Sequence, residues 1–110
     1  MVLLLKKVKN MSRKGYYSEY KINQMLKTKY PDCDIMRNPI ADFMIIQKGK
    51  IIKIIEVKSI HQKKFYPTPR EIKQIKKIKD FSIRHNIDSE IWIDKINKGI
   101  EITNIHKVNL

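Results

Sequence analysis

Hydrophobic positions along this chain follow two periods, and the switches between them mark out its elements. Ile22, Met25, Leu26 and Lys29 keep helical spacing, which predicts a first helix from Met11 to about Lys29, capped by Ser12 and ended by Pro31. Asp34-Ile35-Met36-Arg37 reads as a short strand and Asn38-Pro39 as a turn. Residues 41–46 and 51–58 read as a hairpin around Gln47-Lys48-Gly49-Lys50, with Gly49 at the centre of a three-residue turn. Ile51, Ile52, Ile54 and Ile55 form a near-continuous β-branched run, the pattern of a strand covered on both faces.

A polar, basic connection over residues 59–68 leads to a second helix with strong start signals. Thr68 is a good N-cap, Pro69 suits the first helical position, and Glu71 completes a capping box. Ile72, Ile75, Ile78 and Phe81 give this helix an apolar face, while Lys73, Lys76, Lys77 and Lys79 read as a mostly solvated face that leaves room for some phosphate contacts. Gln74 reads as a surface residue, with an auxiliary polar role beside the candidate chemistry as the alternative. Two alternating strands close the chain, over residues 90–94 and 100–105, joined by a turn at 95–99. The expected architecture is one α/β domain over residues 1–110, a central mixed sheet of about five strands flanked by helices.

Charge sharpens this picture. Lys and Arg outnumber Asp and Glu by 24 to 11, a net charge of +13 on 110 residues. Such an excess on a small domain points to an anionic partner, most often nucleic acid. Cys33 is the only cysteine, so neither an intrachain disulfide nor a multi-cysteine metal site is possible. Val2-Leu3-Leu4-Leu5 is too short for a signal segment, and no span approaches the roughly 20 apolar residues of a membrane helix. The expectation is a cytoplasmic protein with no membrane partner and no organic cofactor. The leading apolar patch would add a short strand or pack on the domain edge.

The candidate chemistry lies in the hairpin. Glu56 and Lys58 stand two apart on a strand and share a face. With the turn centred on Gly49, Asp42 lies opposite Glu56. Two carboxylates and a lysine then converge, an arrangement suited to Mg²⁺, with Mn²⁺ able to substitute. The backbone carbonyl of Val57 can complete the shell. Lys58 can orient or deprotonate an attacking water, or stabilise charge at phosphorus. A divalent metal site on a strongly basic chain suggests a nuclease. The competing reading of the same residues is a cross-strand salt bridge of Asp42 or Glu56 with Lys58.

Asp42 followed by Glu56-Val57-Lys58 on a hairpin resembles the PD-(D/E)xK nuclease signature, with Ala41 in place of the motif's proline. More specifically, the chain resembles archaeal-type Holliday junction resolvases, cellular or viral. Arg13-Lys14-Gly15-Tyr16-Tyr17-Ser18-Glu19 matches their basic segment and acidic helix. Lys58-Ser59, Lys63-Lys64-Phe65-Tyr66 and the helix from Pro69 match the stretch after their Glu-x-Lys, so the resemblance runs from residue 12 to about 85. It implies a restriction-endonuclease-like fold and adds Glu19 to the metal site. Glu19 shares a helix face with Ile22 and Leu26, consistent with an inward position.

The resemblance further implies a homodimer that nicks four-way DNA junctions in symmetric pairs. DNA contacts are expected at Arg13, Lys14, Arg37, Asn38, Ser59, Lys63 and Lys64. A dimer interface is expected at Phe65, Tyr66 and the outer face of the last strands around Trp92. Two alternatives stay open: a related nuclease acting on flaps, single strands or duplex, and a basic nucleic-acid-binding module without activity.

Overall fold

A computed structural model describes residues 13–108 of the chain. Its elements run α1 (Arg13–Lys29), β1 (Asp34–Arg37), β2 (Phe43–Gln47), β3 (Lys50–Ile60), α2 (Pro69–His85), β4 (Asp88–Lys95), β5 (Gly99–Asn104) and a closing 3₁₀ turn (Ile105–Lys107). This is the expected order of a helix, three strands, a helix and two strands. The Ser12 cap and the Val2–Leu5 patch lie outside the described residues. No described helix is long and apolar enough to cross a membrane.

The strands form one mixed sheet in the order β1-β2-β3-β4-β5. β1, β2 and β3 are antiparallel neighbours, β3 and β4 are parallel, and β5 returns antiparallel to β4. The parallel pair needs a crossover, and α2 supplies it. The isoleucine-rich β3 is the central strand, and its two faces feed two cores. Ile54 and Ile60 pack with Ile75 and Ile78 of α2 and with Ile91 and Ile93 of β4. Ile55 and Val57 pack on the other face with Ile22 and Leu26 of α1, Phe43, Ile45 and Trp92.

Helix α2 starts as its signals predict. Thr68 Oγ1 accepts from the Glu71 N–H, and Glu71 returns a carboxylate oxygen to the Thr68 N–H at 2.9 Å. It ends at Asn86, in the left-handed conformation that Asn tolerates. Helix α1 is tied to β4 by a buried polar link. The Ser18 hydroxyl donates to Asp94 at 2.8 Å and the Lys21 ammonium at 2.9 Å. A buried carboxylate needs such partners, and Asp94 finds both on one helix.

The hairpin differs from the expected one in its turn. Lys48 and Gly49 both take positive φ, at 51° and 77°, which is a two-residue turn of the kind that follows strand twist. A bulge between Ile45 and Ile46 then shifts the register by one. The two differences cancel beyond the bulge, where Phe43 pairs with Ile55 as the three-residue turn requires. The first strand of the hairpin also begins later than expected. Asn38 Oδ1 accepts the N–H groups of Ile40 and Ala41 at 2.7 and 3.1 Å, curling residues 38–42 into a bend. Asp42 therefore sits on the bend that enters β2.

Trp92 is 1% exposed and belongs to the α1-side core, which corrects its expected place in a dimer surface. On β4 its side chain alternates onto the face that α1 covers, where it packs with Ile22 and Leu26. Trp92→Ala should cost about 3–5 kcal/mol in urea unfolding, whereas Tyr66→Ala, at a side chain 69% exposed, should change stability by less than about 0.5 kcal/mol. A Trp92→Ala loss under about 1 kcal/mol would contradict the core assignment.

Candidate functional site

Three chain segments meet at one end of the β2–β3 ladder. β3 carries Glu56 and Lys58 on the face covered by α2, the face of Ile54 and Ile60. The bend before β2 brings Asp42 alongside, where its Oδ2 accepts the Val57 N–H at 2.7 Å. Helix α1 brings Glu19 near enough to Asp42, and Asp42 lies near enough to Glu56, for each pair of carboxyls to affect the other's proton affinity. The four residues singled out in the sequence thus stand together.

Burial makes this cluster electrostatically costly. Glu56 is only 2% exposed, and Asp42 is largely shielded from water. That shielding, and then the negative Glu56 beside it, push the Asp42 carboxyl up to about 6. Burial first, and the neighbouring Asp42 carboxyl next, raise Glu19 as well, against the pull of Arg37. One carboxylate oxygen on Glu19 and one on Glu56, Oε2 and Oε1 respectively, are buried with no hydrogen-bond partner.

Among the described residues, the cation inside the cluster is Lys58. Its ammonium lies 3.1 Å from Glu56 Oε2 and 3.6 Å from Glu71 Oε2, and it donates to Gln74 Oε1 at 3.1 Å. Gln74 is thus part of the site, in contrast to its expected surface role. Glu71 holds two positions at once, closing the capping box with Oε1 and reaching Lys58 with Oε2. Burial works to raise Glu71, and the Thr68 backbone N–H and the Lys58 charge outweigh it, leaving the carboxyl below its ordinary value. The capping box was the available signal: Glu71 and Gln74 are three apart on a helix whose inward residues are Ile75 and Ile78.

The expected DNA contacts divide. Arg37 is exposed but ion-pairs with Glu19 at 3.0 Å and stacks over Phe43, so it braces the centre. Asn38 is corrected to a turn residue, because its carbonyl oxygen is taken up by two backbone N–H groups and its amide faces Met44. The Ser59 hydroxyl is buried without a partner. Lys63 and Lys64 are exposed. Arg13 and Lys14 open α1, and their side chains fall outside the described part of the structure. Of the expected interface residues, Tyr66 is exposed, while Phe65 packs partly against the α2-side core.

The donor chemistry fits a hard divalent cation. Crowded carboxylates with raised proton affinity and two unpartnered buried oxygens are what such an ion satisfies, through oxygen ligands alone. As they stand, no three His, Cys, Asp or Glu side chains among the described residues form a ready-made metal cluster. Lys58 and Arg37 lie on Glu56 and Glu19 instead. Val57 meets the cluster through its N–H, bonded to Asp42.

The fold is an α/β one, with a five-stranded mixed sheet flanked by helices. It is shared with Hjc, a Holliday junction resolvase from the archaeal hyperthermophile Archaeoglobus fulgidus, at a TM-score of 0.66 and 15% sequence identity. The superposition covers 88% of this chain and 77% of that one. No protein-family model matches the sequence, and no curated protein sequence matches it.

The raised Asp42 pKa has a signed consequence for stability. The folded state holds this proton more tightly than the unfolded chain, so stability falls as pH rises from 3.8 to about 6 and stays reduced above. Without divalent metal at pH 8, Asp42→Asn should therefore be more stable than wild type, by up to roughly 2–3 kcal/mol. Its advantage should vanish below pH 4. Urea unfolding across pH checks this, and an Asn variant less stable than wild type at pH 8 would show that the Val57 bond outweighs the crowding.

Proposed function

We propose that this protein is a divalent-metal-dependent, structure-specific DNA endonuclease that resolves four-way junctions. The observation that carries the reading is the meeting of Glu19, Asp42, Glu56 and Lys58 at one end of the central hairpin, with two carboxylate oxygens buried and unpartnered. The net charge of +13 and the fold shared with a junction resolvase support a DNA substrate.

In this reading Asp42 and Glu56 hold the cation, with Glu19 from α1 and the Val57 carbonyl completing the shell. A bound Mg²⁺ or Mn²⁺ supplies Lewis acidity toward the scissile phosphate and makes water more acidic. Lys58 neutralises negative charge developing at phosphorus, at a position fixed by Glu71 and Gln74. Arg37 holds Glu19 toward Asp42. The exposed lysines bind the phosphate backbone by charge, with shape rather than base sequence deciding the target.

A four-way junction needs two symmetric cuts, and one chain presents one centre. The active form is therefore a homodimer with two-fold symmetry, in which exposed Tyr66 is the remaining candidate contact. Sedimentation equilibrium at micromolar concentration should give twice the 13.2 kDa chain mass. A monomer that cuts both strands in one encounter would move the reading to a nuclease with a single-cut mechanism.

Incubation with Mg²⁺ and matched junction, flap, single-strand and duplex DNA tests the activity. Cleavage of the junction is expected to dominate. Asp42→Asn and Glu56→Gln should each fall below about a tenth of the wild-type rate, a loss above ~1.4 kcal/mol of barrier, while junction binding persists. Preference for flap or duplex would reassign the substrate, and retained cleavage in both variants would sink the metal-site assignment.

A further inference from the structure

A groove of about 820 Å³ runs between the Pro39–Ile40 bend and helix α2, with Lys58 at its base. Arg70, Lys73, Lys77 and Arg84 line its helical wall. Their spacings of three, four and seven place them along one stripe of α2. From Arg70 to Lys77 the stripe rises about 10 Å.

The acidic residues of this groove are already engaged. Glu71 pairs with Lys58 and the Thr68 N–H, and Asp80 pairs with Arg84 at 3.2 Å. Arg70, Lys73 and Lys77 are exposed and make no ion pair among the described residues. Three uncompensated cations therefore form a rail that leads to the candidate catalytic lysine. The opposite wall, Pro39 and Ile40, is apolar and carries no competing charge. Lys76 and Lys79 do not line this groove, and Lys79 donates to the Val108 carbonyl instead. The helix lysines are thus not one undifferentiated solvated face.

We infer that this groove is the track of the DNA strand next to the catalytic centre, with Arg70, Lys73 and Lys77 gripping successive stretches of its phosphate backbone. The inference rests on the nuclease reading for the identity of the polyanion. A linear row of cations suits a chain with one negative charge per about 3.4 Å of strand. Lys58 both lines the groove and ion-pairs with Glu56 at 3.1 Å, and this link to the candidate centre favours a phosphodiester over an acidic peptide. Side chains of this kind, spaced along a helix face, meet phosphates without reading bases.

Binding of a labelled four-way junction by fluorescence anisotropy, in EDTA and over a range of NaCl, tests the track. EDTA prevents metal-dependent cleavage, so the result does not depend on catalysis. Combined Arg70→Gln, Lys73→Gln and Lys77→Gln should reduce the slope of log K against log salt by about 2–3, near 0.9 for each phosphate that the protein no longer neutralises. A control with the same charge change at exposed Lys27, Lys50 and Lys98 should lose less than about one unit of slope. All six side chains are exposed, and matching melting temperatures verify that both triple variants fold.

An unchanged slope in the groove variant overturns the inference, as does an equal loss in the control. Displacement of the junction by poly-glutamate as readily as by DNA of equal charge also overturns it, because the groove would then be a general anion site. A shifted slope together with a wild-type protein that cleaves no DNA in Mg²⁺ leaves the track standing and removes the nuclease reading. A wild-type protein that binds no DNA refutes both.

Discussion

The register between β2 and β3 is the constraint on which this site depends. Side chains alternate with period two, so a slip of one residue would turn Asp42 away from Glu56 and expose the apolar residues that now build the core. Near the site the register is held by the Asp42 N–H, which bonds the Ile55 carbonyl, and by the Val57 N–H, which bonds the Asp42 side chain. Phe43 and Ile45 fix it from the α1 side, since each is buried only in this pairing. The bulge at Ile45–Ile46 absorbs the mismatch between the tight Lys48-Gly49 turn and this demand.

That register gathers carboxylates where water cannot screen them. Asp42 answers with a raised pKa, Glu19 leans on Arg37, and Glu56 takes Lys58. Truncating one partner of such a cluster exposes the others to an uncompensated charge, so its members are coupled rather than independent. The first turn of α2 joins this coupling. Glu71 caps the helix and steadies Lys58 with the same carboxylate, so the start of α2 and the position of the lysine are one arrangement.

The scaffold holds the remaining segments with little redundancy. α1 reaches the site through Glu19 and is anchored one face away by Ser18 and Lys21 on Asp94. Ile22 and Leu26 of the same helix pack in one core with Trp92, so a single helix serves core, anchor and site within a few turns. Conversely, the groove beside α2 stays open because its wall is built of long charged side chains that remain solvated.

Much of this was legible in the residue pattern. Helical spacing from Ile22 to Lys29, the isoleucine run of β3 and the Thr68-Pro69-Glu71 start each carry a local signal strong enough to survive folding. Glu56 and Lys58 share a face by strand geometry alone, and Asp42 opposite Glu56 follows from the hairpin, although by a different turn and a compensating bulge. Contacts between distant segments were not legible. Trp92 looks like surface in a strand pattern and is core, because α1 covers that face. The turn at Asn38-Pro39 was legible, but not that the Asn38 side chain is used up in bracing it instead of facing DNA. Gln74 and Glu71 acquire their roles only when α2 packs back over β3. Periodicity and capping are properties of neighbours in sequence and are written there. Which face of a sheet is covered, and which lysine a helix meets, is decided by how the elements pack.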